Sequence, residues 1–178
     1  MDIARFKDIH KGETILLVGN AENLKNTPPE KFDMPSIGMN TIHLYEGWTP
    51  TYYVAVDRRV MHEFGDAVYE KFFNIPKFTP KPKLLRWRGD NFHRFCNRPG
   101  PRYPKSNKDN LWQEITEDTE ITWGNVMHVA IKLAYFMGAS TILIIGMEHK
   151  KNNARTHFWG KDEKVESDGI DINAMFRG

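Results

Sequence analysis

Three apolar runs constrain the fold most: Thr14-Ile-Leu-Leu-Val18, Tyr52-Tyr-Val-Ala-Val56 and Thr141-Ile-Leu-Ile-Ile145. Each stops on a residue suited to a turn or to polar chemistry, namely Gly19-Asn20, Asp57 and Gly146. Unbroken apolarity without alternation is the pattern of a strand covered on both faces, as in a parallel sheet flanked by helices. A weaker run, Ser36-Ile-Gly-Met39, ends on Asn40, and Lys83-Leu-Leu-Arg-Trp87 reads as a further strand or an edge. Apolar positions Val126, Val129, Ala130, Leu133, Ala134 and Met137 recur at helical spacing, predicting a helix from about Trp123 to Met137. Thr122 is placed to cap its start and Gly138 its end. Helix, then Gly138-Ala-Ser140, then an apolar strand is the second half of a βαβ unit. A second helix is expected within Arg58 to Phe73. These elements predict an α/β fold with a mostly parallel sheet.

A chain of 178 residues fits one domain of the usual size, roughly 100 to 200 residues. No stretch reaches the roughly 18 apolar residues of a membrane span. The charged start, Met1 to Lys11, lacks the apolar centre of a signal peptide, so the expected location is cytoplasmic. The single cysteine, Cys96, excludes an intrachain disulfide and a thiolate zinc cluster. The net charge of +2 conceals an asymmetry, because Lys77 to Asp109 carries ten basic residues against two acidic ones. The rest of the chain is therefore net acidic. This stretch is also rich in proline and poor in periodicity, so residues 74–121 read as an inserted basic loop or small subdomain, of the kind that often carries function. Phe78, Trp87, Phe92, Phe95 and Tyr103 interleave with the charges. That pattern suits a lid over a phosphorylated substrate, a surface for single-stranded nucleic acid, or a solvated face pinned by aromatics.

In open α/β sheets ligands bind beyond the carboxyl ends of the strands, near the point where strand order reverses. Here those ends carry Gly19-Asn20, Asn40, Asp57 and Gly146 to His149. Backbone amides, two carboxamides and two carboxylates together form a set suited to phosphate, ribose and a hard metal ion. Neither a G-x-G-x-x-G nor a Walker loop is present. Gly19-Asn20 reads as a nucleotide contact or as a plain β-turn. Asp57 reads as a metal or ribose ligand, or as a helix cap paired with Arg58 or Arg59. Thr122, Gly124 and Asn125 open the strong helix, whose free N–H groups favour an anion, although ordinary capping accounts for them equally. Glu148 stands beyond the third strand. His157, in a predicted loop with Arg155 and Trp159, is the candidate acid or base near neutral pH.

The order of these motifs resembles the family of 6-hydroxymethylpterin diphosphokinase-like proteins. The resemblance rests on strand-Gly19-Asn20, Ile37-Gly-Met-Asn40, Pro50 to Asp57, Thr122-Trp-Gly-Asn125, Leu133 to Gly138 running into Ile142 to Glu148, and His157-Phe158, and it covers about Ile9 to Phe158. More distantly the order is similar to that of bacterial CMP-sialic acid-dependent sialyltransferases. The resemblance implies a Rossmann-like three-layer fold and a nucleotide-dependent transferase. It implies nucleotide or phosphate contacts at Gly19, Asn20, Asn40, Thr122, Gly124 and Asn125. Asp57 and Glu148 would be catalytic and would hold Mg²⁺, and His157 would be an acid, base or phosphate ligand. Where that family commonly reads Gly-Asn-Gly-Pro-Ser-Leu, this chain reads Gly19-Asn-Ala-Glu-Asn-Leu24, which brings the Glu22 carboxylate close to the expected phosphates.

Two activities follow from the resemblance: diphosphate transfer from ATP to a hydroxymethyl acceptor, or sugar transfer from a nucleotide sugar in surface-glycan synthesis. A non-catalytic domain holding an anionic polymer on the basic stretch is the alternative from another class. The expected partners are a nucleotide and a small-molecule or glycan acceptor. Nucleic acid is disfavoured, and self-association is left open.

Overall fold

The computed structural model describes residues 3–80, 91–95, 125–147 and 156–161. Six strands form one sheet: β1 (Thr14–Val18), β2 (Ser36–Met39), β3 (Tyr52–Val54), β4 (Lys77–Pro80), β5 (Phe92–Phe95) and β6 (Thr141–Ile145). Their order is β5-β4-β3-β2-β1-β6, and every neighbouring pair is parallel. The chain steps outward from β1 to β5, then returns to the far side of β1 for β6. Strand order therefore reverses at β1/β6, which makes the carboxyl ends of these two strands the switch point of the sheet.

Among the described residues three α-helices cover the sheet: α1 (Arg58–Glu63), α2 (Gly65–Lys71) and α3 (Val126–Phe136). Successive residues of β1 point to opposite faces. Ile15 and Leu17 pack with Ile3, Phe6 and the apolar side of α3, while Leu16 and Val18 pack with Val60, Val68 and Phe72 of the α1–α2 side. The expected α/β three-layer, Rossmann-like fold is thus present, with an all-parallel main sheet. Within the stretch read as an insertion, Lys77–Pro80 and Phe92–Phe95 belong to this sheet. Both escape an apolar-pattern search because polar side chains are buried in them: Lys77 and Thr79 in β4 and His93 in β5. Residues 81–90 and 96–121 of that stretch, with Lys83 to Trp87 and Cys96, lie outside the described residues.

The strong helix starts later than its periodicity suggests. Asn125 caps α3, its Oδ1 accepting from His128 N at 3.1 Å, so the cap is not at Thr122. Gly138, at φ +87°, ends the helix in the left-handed conformation expected of a C-terminal glycine. The carbonyls of Phe136, Met137 and Gly138 accept from Asp8, His10 and Gly12, so the segment before β1 satisfies the helix end. This fixes the C-terminus of α3 at the amino edge of the sheet. Eleven residues, at about 1.5 Å each, bring its N-terminus to the carboxyl edge.

β6 departs from the expectation of cover on both faces. It pairs with β1 on one side only among the described strands, and Leu143 and Ile144 are 37% and 39% exposed. No helix among the described residues is long and apolar enough to cross a membrane.

Candidate functional site

Beyond the carboxyl end of β1 the chain makes a turn that is already bonded to β6. Gly19 N donates to Ile145 O and Ala21 N to Gly146 O, both at 2.9 Å. A Cβ on Gly19 would lie 2.3 Å from Gly146 O, and Gly146 is itself at φ +67° with Leu24 against it. Backbone-on-backbone packing therefore accounts for both glycines. The amides of Gly19 and Ala21 are committed within the fold rather than offered to a phosphate.

The two carboxamides fasten neighbouring strand ends together. Asn20 Nδ2 donates to Met39 O at 3.1 Å, tying β1 to β2, and its Oδ1 is buried with no donor among the described residues. Asn40, in the left-handed region at φ 44°, accepts from Val56 N on its Oδ1 at 3.3 Å, tying β2 to the residues after β3. The Asn40 carbonyl accepts from Tyr53 Oη at 2.6 Å. Tyr53 is fully buried, and desolvation pushes its phenol far above the usual tyrosine range, so it keeps the proton it donates to Asn40. The 3-10 turn Asn40–Leu44 is held from below by Lys71, whose Nζ donates to the carbonyls of His43 and Tyr45.

Asp57 is the N-cap of α1. Its Oδ1 accepts from Arg59 N at 2.8 Å, and its Oδ2 lies 3.5 Å from the Arg59 guanidinium. The helix cap and the Arg59 contact are the structural use expected as the alternative for Asp57. Glu148, expected to share the metal, lies outside the described residues, as do Thr122 and Gly124. No group of three His, Cys, Asp or Glu side chains converges among the described residues.

His157 arrives not on a loop but on a small hairpin, β7 (Thr156–His157) and β8 (Gly160–Lys161), with Phe158 and Trp159 at its tip. An isolated bridge joins His157 to Ala21, and Phe158 N donates to Asn20 O at 3.1 Å. The hairpin is thereby attached over the end of β1. His157 Nδ1 lies 3.4 Å from Asn20 O. A carbonyl only accepts, so this contact is a hydrogen bond when Nδ1 carries the proton. The imidazole stacks on Trp159 with centroids 4.2 Å apart and planes 4° from parallel. Phe158 meets Tyr45 edge-on at 5.3 Å, and Trp159 remains 38% exposed.

Gly19, Asn20, Asn40, Asp57 and His157 are thus linked by contacts along one edge, His157 to Asn20 to the end of β2 to the end of β3. Asn125 lies on the same edge at the head of α3, engaged as a cap. Tyr45 and Tyr53 were not found from sequence. Tyr45 stands in an aperiodic stretch, and the phenol of Tyr53 is hidden in an apolar run.

Neither protein-family models nor curated proteins give a match to this chain.

Proposed function

We propose that the chain is a nucleotide-dependent transferase that binds its donor in the crevice at the carboxyl ends of β1 and β6. The observation that carries this reading is the attachment of His157 over the end of β1, at the switch point of a parallel sheet, with an exposed indole stacked on it. The stack gives a flat apolar surface beside a basic nitrogen. The start of α3, on the same edge, adds the partial positive charge of a helix N-terminus.

In the diphosphokinase reading, the acceptor hydroxyl oxygen attacks the β-phosphorus of ATP. The bond from that phosphorus to the α,β-bridging oxygen breaks and AMP leaves. His157 Nε2 takes the hydroxyl proton. Asn20 and Asn40 act at one remove, keeping the strand ends and the hairpin in register. Mg²⁺, when bound, would neutralise phosphate charge.

The engagement of Asp57 by Arg59 favours a second reading. A donor carrying one phosphate, such as a CMP-sugar, requires less charge neutralisation than a triphosphate. There His157 would act as acid or base at the transferred sugar and CMP would leave.

Product assays separate the two. AMP formed from ATP only with a hydroxymethylpterin supports the first, and CMP or UDP formed from a nucleotide sugar with a glycan acceptor supports the second. His157→Ala is expected to lower either rate by about 10²-fold or more. No product from any donor, or full activity in His157→Ala, contradicts the proposal.

A further inference from the structure

His157 rides on a hairpin, and two kinds of contact hold that hairpin to the end of β1. The backbone kind is the bridge from His157 to Ala21 together with the bond from Phe158 N to Asn20 O at 3.1 Å. Both end on two adjacent residues, a narrow base about which a short hairpin can still swivel. The other kind is aromatic. Among the described residues, the ring that meets the hairpin from elsewhere in the fold is Tyr45, which stands edge-on to Phe158 with centroids 5.3 Å apart and planes at 69°. It supplies the third point that a fixed orientation of the hairpin needs.

Tyr45 is itself held at three places. Its N–H donates to Ile42 O at 2.9 Å, its carbonyl accepts from Lys71 Nζ of α2, and its hydroxyl donates to the Glu30 carboxylate at 3.2 Å. Glu30 comes from a separate 3-10 turn, Pro29–Lys31. Its bond to Tyr45 is exposed, so it contributes little to overall stability, yet it selects one direction for the ring. We infer that Tyr45 is a positioning residue for His157, acting through Phe158, and that Glu30 fixes the ring that does so. The consequence for rate rests on the transferase reading, whereas the placement of the hairpin does not. A displacement of about 1 Å in a reacting group is enough to cost a large factor in rate, so a contact of modest strength has a large effect on turnover.

The test uses the full chain and two readouts. Without any nucleotide, amide exchange at Phe158 and the ring ¹⁵N shifts of His157 report the attachment directly. Tyr45→Ala should quicken Phe158 exchange about two- to tenfold, the worth of one aromatic pair, and move the His157 shifts, while the β1 amides and circular dichroism stay native. Tyr45→Phe keeps the ring and should restore most of the protection. Should Tyr45→Ala fail to fold, Glu30→Ala, at an exposed position, decides, with about a twofold quickening at the same amide. In the transferase assay Tyr45→Ala should lower kcat more than it raises KM, and should cost nothing further in a His157→Ala background, because the two act through one group. Unchanged Phe158 exchange, no rescue by Tyr45→Phe, or an additive loss of kcat beside His157→Ala each overturns the inference. If no donor gives product, the transferase reading fails, and the exchange and shift data still decide whether Tyr45 places His157.

Discussion

Asn40 and Asp57 are where chemistry expected from sequence meets a structural use of the same atoms. Asn40 combines a left-handed backbone with a side-chain bond to Val56 N. Asn40→Ala should lose about 1–3 kcal/mol in denaturant unfolding, because it removes the acceptor and leaves a Cβ in a strained region. Asn40→Gly should recover the strain but not the bond, and a Gly variant no more stable than Ala would refute this division. Asp57→Ala should cost about 1 kcal/mol, the usual worth of an N-cap, and should leave nucleotide affinity unchanged. Affinity lost in proportion to added Mg²⁺ would restore Asp57 as a metal ligand. His43 is buried against Phe64, and burial holds its pKa below the usual range, the Lys71 charge adding to the effect against an opposing backbone contact at Asn40. His128 shifts the same way, mainly through burial and then through Lys132. Both rings take up a proton less readily in the fold than in the unfolded chain, which titrates near pH 6.5. Below that pH the unfolded state binds more protons, so their contribution, complete above pH 6.5, is lost as the pH falls. Unfolding at pH 7.5 and 5.5 should show this loss, reduced in His43→Leu.

The elements that carry the fold were legible where burial and apolarity coincide. β1 and β2 are buried along almost their whole length, and their runs match the observed strands end to end. β4 and β5 were missed because buried polar groups occupy them, and the reason is visible at Lys77. Its side chain is buried and its Nζ donates to Ile75 O at 2.9 Å, so the ammonium is satisfied by backbone that no sequence pattern reveals. Burial lowers its pKa to about 8. β6 was legible as a strand, but an unbroken apolar run does not fix a strand's place in the sheet, and among the described residues β1 is its one neighbour. The candidate site was legible as a set of strand-end positions, but not in its wiring. That Gly19 is a glycine because Gly146 presses on it, and that Asn20 bonds Met39, depend on register between strands far apart in sequence. Gly19→Ala is therefore expected to cost on the order of 3 kcal/mol or more through a backbone clash. A Gly19→Ala protein of wild-type stability would return that glycine to a role in ligand approach.

At the scale of the whole molecule, strand order assembles the site. The return of the chain to the far side of β1 sets the end of that strand beside Gly146, the hairpin attached at Ala21 lays His157 and Trp159 over it, and α3 brings its N-terminus to the same edge. The central claim is that a nucleotide occupies this edge. Amide chemical-shift mapping of the full chain during titration with ATP, and separately with CMP, tests it most directly. The expected result is a saturable set of shifts gathered at residues 19–22, 40, 125, 146–147 and 157–160, lost in His157→Ala. Saturable shifts centred elsewhere, or none with either nucleotide, would contradict it.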